Sequence, residues 1–250
     1  MAPRILSIDI ETSPIEAYTW GLWQQNVGIN QIKKPTTMLS FAAKWVGKPK
    51  RIFHSVFHDG EDQMVQAAWD LLDQADAIMT WNGKSFDEPH LNREFIEHGL
   101  TPPSPFKHID LMQTAKRQFR FPSNKLDYVA RALGCGGKVS TGGFELWLAC
   151  MAGDEKAWAK MRRYNIQDVV LLEELHDKML PYIKNYPHVG LYSPGEEDCC
   201  GKCGSQDLER RGQAYTPLGA YQQYRCRPCG SWSRGKKALA TVDVRTVSSR

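Results

Sequence analysis

Residues 4–12 read Arg-Ile-Leu-Ser-Ile-Asp-Ile-Glu-Thr (RILSIDIET), and this stretch decides the fold that the sequence predicts. Apolar and polar side chains alternate along residues 4–10, which is typical of a β-strand with one buried face. Side chains two residues apart project to the same face of a strand, so Asp9 and Glu11 can present two carboxylates together. Ile8 and Ile10 then point the other way, into the core. The pattern predicts a first strand that ends in a pair of acids.

Two adjacent carboxylates repel each other and resist joint ionisation. A divalent cation removes this conflict, and hard carboxylate oxygens suit Mg²⁺ or Mn²⁺. The alternative interpretation of Asp9 and Glu11 taken alone is two solvated acids at the end of a strand.

Working outward from this strand, the sequence alternates further strands with helices. Helical apolar spacing is found over 61–75, a second helix is predicted over 89–99, and the chain is mostly helical from 111 to about Lys184. The predicted strands after the first are 38–46, 51–57, 76–81 and 106–111, the first two joined by a hairpin turn. This order predicts an α/β fold with a mixed five-stranded sheet flanked by helices.

A second acidic motif, residues 82–87 (NGKSFD), follows the predicted strand 76–81 and precedes a helix. Asp87 therefore lies in or just before the first helical turn, where an aspartate also has a structural use as a helix cap. Asp110, at the end of the predicted fifth strand, is interpreted as a helix cap or surface acid, with support of the acidic cluster as the alternative.

A third motif lies on a late helix, where Tyr164 and Asp168 are four residues apart and share a face. Asp168 adjoins an apolar stripe, in which an unpaired charge would be costly. The stripe consists of Val169, Leu171, Leu172 and Leu175. Taken alone, the tyrosine and the aspartate also suit a local hydrogen bond.

Together, the three motifs in this order resemble the DEDD 3′–5′ exonucleases of the tyrosine subtype, which include polymerase proofreading domains and have a ribonuclease H-like fold. The resemblance covers roughly residues 4–184. It implies that Tyr164 positions the attacking water. It also implies that the catalytic metal ligands, for two Mg²⁺ or Mn²⁺ ions, are Asp9, Glu11, Asp87 and Asp168.

The same resemblance implies substrate contacts at three positions, with Thr12 near the 3′-terminal nucleotide and Asn82 and Phe86 framing the second motif. Residues 125–134 are similar to the family's helix before the third motif. Residues 13–37 depart from the family pattern, and no role is assigned to them.

The chemistry fits these residue types. Two metal ions ~3.5–4 Å apart can activate a water and stabilise the leaving 3′-oxygen of a phosphodiester. Tyrosine ordinarily has a pKa of about 10, so Tyr164 is expected to orient the water by hydrogen bonding and not to deprotonate it.

Four cysteines near the C-terminus form two C-x-x-C motifs with 22 residues between them, and each motif is followed by a glycine. This spacing is typical of a structural zinc ribbon in which four thiolates hold one Zn²⁺. The predicted ligands are Cys200, Cys203, Cys226 and Cys229. Cys199 adjoins Cys200 and is an alternative ligand. The amino-acid composition changes near 186–196, which predicts a domain boundary there. The resemblance then implies an exonuclease domain over 1–186, and the cysteine motifs predict a zinc-ribbon domain over 197–250.

Positive charge is concentrated in the predicted ribbon. Residues 199–250 contain ten lysines and arginines against three acids, whereas residues 1–198 contain 22 basic and 25 acidic residues. Basic groups interleaved with aromatic rings suit a single nucleic-acid strand, and a solvated surface or a protein-docking role are the alternatives. The candidate contacts are Arg225, Arg227, Trp232, Arg234, Lys236 and Lys237.

Composition narrows the class of protein. The chain has 250 residues, of which 42% are hydrophobic and 24% charged, values that exclude disordered, collagen-like and coiled-coil proteins. The sequence contains no run of about 18 apolar residues, so no membrane span is predicted. Seven cysteines without an export signal favour reduced thiols or bound metal over disulfides, and a cytoplasmic protein is expected.

The leading hypothesis is a two-metal-ion 3′–5′ exonuclease that releases nucleoside monophosphates. DNA is favoured as the substrate by analogy, particularly single-stranded or frayed 3′ ends. An RNA exonuclease or a structure-selective endonuclease on the same scaffold is the nearest alternative. A nucleic-acid-binding adaptor with a vestigial acidic site is the alternative of another class. A separate polymerase, or another replication or repair protein, is the expected protein partner.

Overall fold

The computed structural model describes residues 2–137, 142–192 and 198–245. The chain divides into two compact units, Arg4–His176 and Asp177–Arg250 with Met1–Pro3. The functional domains 1–186 and 197–250 stay a prediction. Within the described residues, the helices are all too short or too polar to cross a membrane.

The first unit is built on a five-stranded sheet of order β5-β4-β1-β6-β7. Strand β1 runs parallel to β6, β6 runs parallel to β7, and β4 is antiparallel to both of its neighbours. The mixed five-stranded sheet predicted from the sequence is confirmed. The strands of this unit are β1 (Ile5–Thr12), β2 (Glu16–Ala17), β3 (Ile32–Lys34), β4 (Met38–Trp45), β5 (Arg51–Ser55), β6 (Ala77–Thr80) and β7 (Lys107–Asp110).

Helices cover both faces of this sheet. They are α1 (Glu61–Asp73), α2 (Asp87–Glu97), α3 (Leu111–Gln118), α4 (Leu126–Ala132), α5 (Glu145–Met151) and α6 (Glu155–Met179). Ile8 and Ile10 of β1 are buried in one core with apolar residues of α1 and α2. On the opposite face, the Ser7 hydroxyl donates a hydrogen bond to the carbonyl oxygen of Val169 in α6 at 3.1 Å. Because Ser7, Asp9 and Glu11 share that face, α6 crosses it beside the two acids.

Several element boundaries differ from the sequence predictions by one or two residues, and two of these differences have a clear local cause. The second helix begins at Asp87 and not at Pro89, because the amides of a first helical turn need no partner within the helix and a proline is tolerated there. Strand β5 ends at Ser55 and not at residue 57. The Ser55 amide donates to a carboxylate oxygen of Asp59 at 2.9 Å, which turns the chain away from the sheet.

Residues 13–37 form an arm on the first unit. Strands β2 and β3 pair antiparallel at its base, and the Ser13 amide donates to the Thr37 carbonyl oxygen at 2.8 Å. Large side chains on the arm are exposed: Tyr18, Trp20, Leu22 and Trp23. The arm is therefore an insertion between β1 and β4 that is closed at its base by backbone pairing.

The second unit contains a three-stranded antiparallel sheet of order β10-β9-β8. Its strands are β8 (Leu208–Thr216), β9 (Gly219–Cys226) and β10 (Trp232–Thr241), after two short 3₁₀ turns at Leu180–Tyr182 and Val189–Tyr192.

Candidate functional site

Three of the four predicted catalytic acids converge. Carboxylate oxygens of Asp9, Glu11 and Asp168 all lie within 4.8 Å of one another. Asp9 and Glu11 come from the end of β1, and Asp168 comes from the middle of α6, where it is buried. The pairing register between β1 and β4 shifts between Glu11 and Thr12, and such irregularities commonly re-aim side chains beside functional sites.

Asn165, one turn before Asp168, fixes the orientation of Asp9. Its fully buried side-chain amide donates to the Asp9 carboxylate oxygen Oδ2 at 2.8 Å and to the Asp9 carbonyl oxygen at 3.1 Å. The side-chain oxygen Oδ1 of Asn165 accepts a hydrogen bond from the Ser40 hydroxyl at 3.2 Å. No role for Asn165 was predicted from the sequence, although its spacing of three residues from Asp168 places both on one helix face.

Asp87, the fourth predicted acid, lies outside this group of three but next to it. Its carboxylate oxygen Oδ1 accepts a hydrogen bond from the amide of Ile10, which lies between Asp9 and Glu11, at 3.1 Å. The pKa of Asp87 is raised to about 7, mainly by burial and also by the nearby Asp110 charge, against the lowering effect of the hydrogen bond from the Ile10 amide. A carboxyl group held half-protonated near neutral pH can ionise fully when a cation approaches.

The loop that carries Asp87 is anchored by Asp110 and Thr80. Asp110 caps α3 through the Gln113 amide, which confirms the helix-cap role among those expected, but it is buried and not a surface acid. Its carboxylate also accepts from the amides of Asn82 at 3.1 Å and Lys84 at 3.4 Å. The Thr80 hydroxyl accepts from the Gly83 amide at 3.1 Å. Asn82 adopts a left-handed backbone with φ of 71°, which asparagine tolerates better than most residues.

Of the remaining predicted site residues, Thr12 lines a cleft next to the acids and Tyr164 contacts one wall of it, whereas Phe86 lies at the start of α2. Thr12 lines a cavity of about 440 Å³ together with aromatic side chains of Phe144 and Trp147. The Tyr164 ring meets Trp147 edge-on, with ring centroids 6.1 Å apart. Phe86 is 39% exposed at the start of α2 and contacts His90 edge-on. An apolar cavity walled by rings suits the base or sugar of a nucleotide.

The acidic cluster fits a divalent cation. Three carboxylates this close destabilise each other unless a positive charge lies between them. All donors at the cluster are hard oxygens, the ligands that Mg²⁺ and Mn²⁺ prefer. Asp9, Glu11 and Asp168 could therefore bind a metal ion. Asp87 adjoins them through its hydrogen bond with the Ile10 amide.

The four predicted zinc ligands also converge. The sulfur atoms of Cys200, Cys203, Cys226 and Cys229 all lie within 4.8 Å of one another, and none is in a disulfide. Cys199 is buried next to them in sequence but does not belong to this group, which favours Cys200 as the ligand.

The two C-x-x-C motifs have the same backbone geometry. The Gly204 amide donates to the Cys200 carbonyl oxygen, and the Gly230 amide donates to that of Cys226, both at 2.9 Å. Both glycines have φ above +70°, a conformation that a side chain would strain. The sulfur set and the paired turns fit a tetrahedral structural Zn²⁺, which leaves no open position for catalysis.

The thiols of this group titrate differently. Burial raises the pKa of Cys203 and Cys226, whereas burial at Cys229 is outweighed by hydrogen bonds from Ser231 and neighbouring thiols, which lower the Cys229 pKa to about 7. A thiol that ionises near neutral pH is a ready first ligand for a metal ion.

One face of the ribbon sheet carries arginines over aromatic rings. The Arg211 guanidinium lies 5.9 Å from the Trp232 ring centroid, and that of Arg234 lies 4.2 Å from the Tyr221 ring centroid. Among the other predicted nucleic-acid contacts, Arg225, Lys236 and Lys237 are exposed, and Arg227 pairs loosely with Asp207 at 3.5 Å. Their contact with nucleic acid stays a prediction.

Comparison with known proteins agrees with this architecture. A family model described as the RNase_H superfamily matches residues 7–180. The structure of the family B DNA polymerase from the hyperthermophilic archaeon Pyrobaculum calidifontis superposes on 72% of this chain with a TM-score of 0.55 and 18% identity. The chain covers 25% of the length of that polymerase. At 18% identity, this likeness concerns the fold alone. No curated protein sequence matches the chain.

Proposed function

Because the chain belongs to the RNase_H superfamily through its residues 7–180, we propose that it is a metal-dependent 3′–5′ exonuclease that hydrolyses phosphodiester bonds of nucleic acid. The observation that carries the proposal is the convergence of Asp9, Glu11 and Asp168 within 4.8 Å. Superfamily membership supports a nuclease. The direction of attack and the preference for ends rest on the resemblance of the acidic motifs to the DEDD exonucleases.

The proposed metal ligands are Asp9, Glu11, Asp87 and Asp168. Two bound divalent ions would supply the positive charge that acidifies the attacking water and stabilises the leaving 3′-oxygen. The chain itself holds the carboxylates in place: Asn165 orients Asp9 through two hydrogen bonds, and the Ile10 amide orients Asp87. Preorganised ligands of this kind need no rearrangement during the reaction.

Substrate positioning is assigned to residues around the cleft. Tyr164 lies one helical turn before Asp168 and would orient the attacking water through its hydroxyl. Thr12 and Trp147 line the 440 Å³ cavity that would accept the terminal nucleotide. Phe86, exposed at the start of α2, would contact the adjoining nucleotide. DNA is the favoured substrate, and a polymerase or other replication or repair protein stays the predicted partner.

The proposal is tested with single strands of DNA and RNA labelled at either the 3′ or the 5′ end, incubated with Mg²⁺, Mn²⁺ or EDTA. Release of mononucleotides from 3′ ends alone, abolished by EDTA, is the expected result. Internal cuts would replace the proposal by an endonuclease. Binding without cleavage in either metal would indicate an adaptor with an inactive acidic site.

A further inference from the structure

The first unit carries a basic surface of its own. Residues 116–131 contain five basic side chains and a single acid, Asp127, although residues 1–198 as a whole are net negative. All five basic residues are exposed. We call this surface the basic ledge, and it consists of Lys116, Arg117, Arg120, Lys125 and Arg131.

Most of the charge on the basic ledge is uncompensated. Arg131 pairs with Asp127, its Nε atom lying 3.1 Å from a carboxylate oxygen. Over the residues that the structure describes, the other four side chains form no salt bridge with a carboxylate. Exposed cations concentrated on an otherwise acidic unit create a local positive potential, which attracts a polyanion.

One end of the basic ledge, at Lys125, lies next to the loop that carries Asp87. Strands β1, β6 and β7 are parallel, so their carboxyl ends lie on the same side of the sheet. Asp9, the loop after Thr80 and Asp110 all lie there. Helix α3 starts directly after Asp110 and brings Lys116 and Arg117 to its end. The Trp81 indole then donates to the Asn124 carbonyl oxygen at 3.1 Å, which fastens the following segment beside the loop of Asp87.

An aromatic side chain accompanies these cations. Tyr128 is 40% exposed on α4 and lines a cavity of about 550 Å³ together with Lys125 and Arg131. Cations that meet phosphates beside a ring that can stack on a base are the usual parts of a single-strand binding surface. A duplex offers phosphates but no accessible base faces, so Tyr128 favours a single strand.

We propose that the basic ledge binds the phosphate backbone of the single strand whose end enters the acidic cluster, by contacts that do not depend on sequence. This inference rests on the proposed nuclease function. It identifies the surface that binds the part of the strand outside the acidic cluster. It concerns affinity for long strands and adds nothing to the bond-breaking step itself.

The test compares two triple variants with the wild-type protein. Lys116→Gln, Arg117→Gln and Arg120→Gln neutralise three charges of the basic ledge. Lys48→Gln, Lys50→Gln and Arg51→Gln are the matched control. These three residues are also exposed, but they lie in and after the turn between β4 and β5. That turn lies at the amino end of β1, opposite the end that carries Asp9 and Glu11, because Trp45 pairs with Leu6.

Binding of a long fluorescent single strand is measured in EDTA over a series of salt concentrations. The ledge variant should bind at least about tenfold more weakly, and its slope of log K against log salt should fall by about 2, since each lost contact with single-stranded phosphate contributes ~0.7. The control triple should keep both values. Hydrolysis of a nitrophenyl ester of thymidine monophosphate, too short to reach the ledge, should be unchanged in the ledge variant.

The outcomes separate the two proposals. If the wild-type protein degrades strands from 3′ ends but the ledge variant keeps its affinity and salt slope, the ledge inference is overturned and the proposed function stands. An equal loss in the control triple overturns it as well, since the effect is then one of general charge. Loss of duplex binding alone overturns the single-strand assignment. Failure of the wild-type protein to cleave the nitrophenyl ester or any strand overturns the nuclease function itself.

Discussion

At the scale of single residues, Asp9 is the centre of the site, because it faces Glu11 and Asp168 and receives the Asn165 amide. Asp9→Ala should lower the rate of strand hydrolysis by at least about 10²-fold, the effect of removing one group that stabilises transition-state charge. The melting temperature of the metal-free protein should not fall, since one of three repelling carboxylates is removed. Asp70→Ala, at an exposed acid of α1, is the control. Normal turnover in Asp9→Ala would show that the acidic cluster does not take part in hydrolysis.

Asp87 links stability to pH. Burial raises its pKa from the ordinary 3.8 to about 7, so the folded protein binds this proton more tightly than the unfolded chain. The free energy of unfolding of the metal-free protein should therefore fall as pH rises from about 4 to about 7. Asp87→Asn keeps an acceptor for the Ile10 amide but cannot ionise, so it removes this contribution.

Urea unfolding in EDTA checks this expectation. At pH 8 the Asp87→Asn protein should be more stable than wild type by more than about 1 kcal/mol, since one pKa unit corresponds to ~1.4 kcal/mol. The difference should narrow toward pH 4, while hydrolysis by the variant is strongly reduced at every pH. A difference in stability that does not vary with pH would show that the Asp87 carboxyl is not held protonated.

Asn165 is a positioning residue, and its effect should appear in metal dependence. Asn165→Ala frees Asp9 from two hydrogen bonds, so the Mg²⁺ concentration for half-maximal activity should rise about 10–100-fold, the usual cost of losing an outer-shell partner. Ser40→Ala is the matched control, because it removes only the hydrogen bond to Oδ1 of Asn165 and leaves the bonds from Asn165 to Asp9 in place. A loss of activity that excess Mg²⁺ does not restore would assign Asn165 a purely structural role.

At the scale of elements, the turn after β6 aims Asp87. A methyl group on Gly83 would lie 2.5 Å from Thr80 Cβ, too close for any real contact, and Thr80 is fully buried at the end of the strand. Gly83→Ala should cost roughly 1–3 kcal/mol of unfolding free energy, the usual range for overpacking. It should also reduce hydrolysis, because the displaced loop carries Asp87 with it.

Denaturant unfolding and strand hydrolysis measure both effects in Gly83→Ala. Gly136→Ala is the matched control, since the nearest atoms to its added methyl are 3.9 Å away and its amide still donates to Glu174. Wild-type stability and activity in Gly83→Ala would mean that the loop tolerates a shift and does not fix Asp87.

The elements also show which parts of the site were predictable. The alternation of residues 4–12 has a period of two, so the sequence alone places Asp9 and Glu11 on one face. Helical spacing puts Asp168 beside an apolar stripe in the same way. The partnership of Asn165 with Asp9 spans 156 residues, and its hydrogen bonds depend on how α6 crosses the sheet. No local pattern encodes that crossing.

The arm of residues 13–37 was unpredictable for a related reason. Its paired strands contain only two and three residues, too short for an alternating pattern to be recognised. The cysteine motifs were easier, because two thiols and a following glycine already specify a metal-binding turn within each short stretch.

At the scale of the whole molecule, we propose that the four-sulfur group of the second unit binds one structural zinc ion. Purified protein should contain one zinc per chain, and Cys226→Ala should lose it, because three thiolates leave the tetrahedral site incomplete. Structural zinc supplies about 10–16 kcal/mol of binding energy to small domains, so strands β8 to β10 should lose hydrogen-exchange protection. The amides of β1, β4 and β6 should stay protected, since the first unit has its own core.

Cys199→Ala is the control for this experiment, as Cys199 lies outside the four-sulfur group. It should keep full zinc content. If Cys199→Ala loses zinc and Cys200→Ala keeps it, the ligand is Cys199 and not Cys200.

The central claim is that Asp9, Glu11 and Asp168 share divalent metal ions. It is tested most directly by anomalous diffraction from crystals of the full chain soaked in Mn²⁺. We predict anomalous peaks at coordination distance from carboxylate oxygens of these three residues, and their disappearance in Asp9→Ala crystals. Saturating Mn²⁺ that produces no peak between the three carboxylates would contradict the claim.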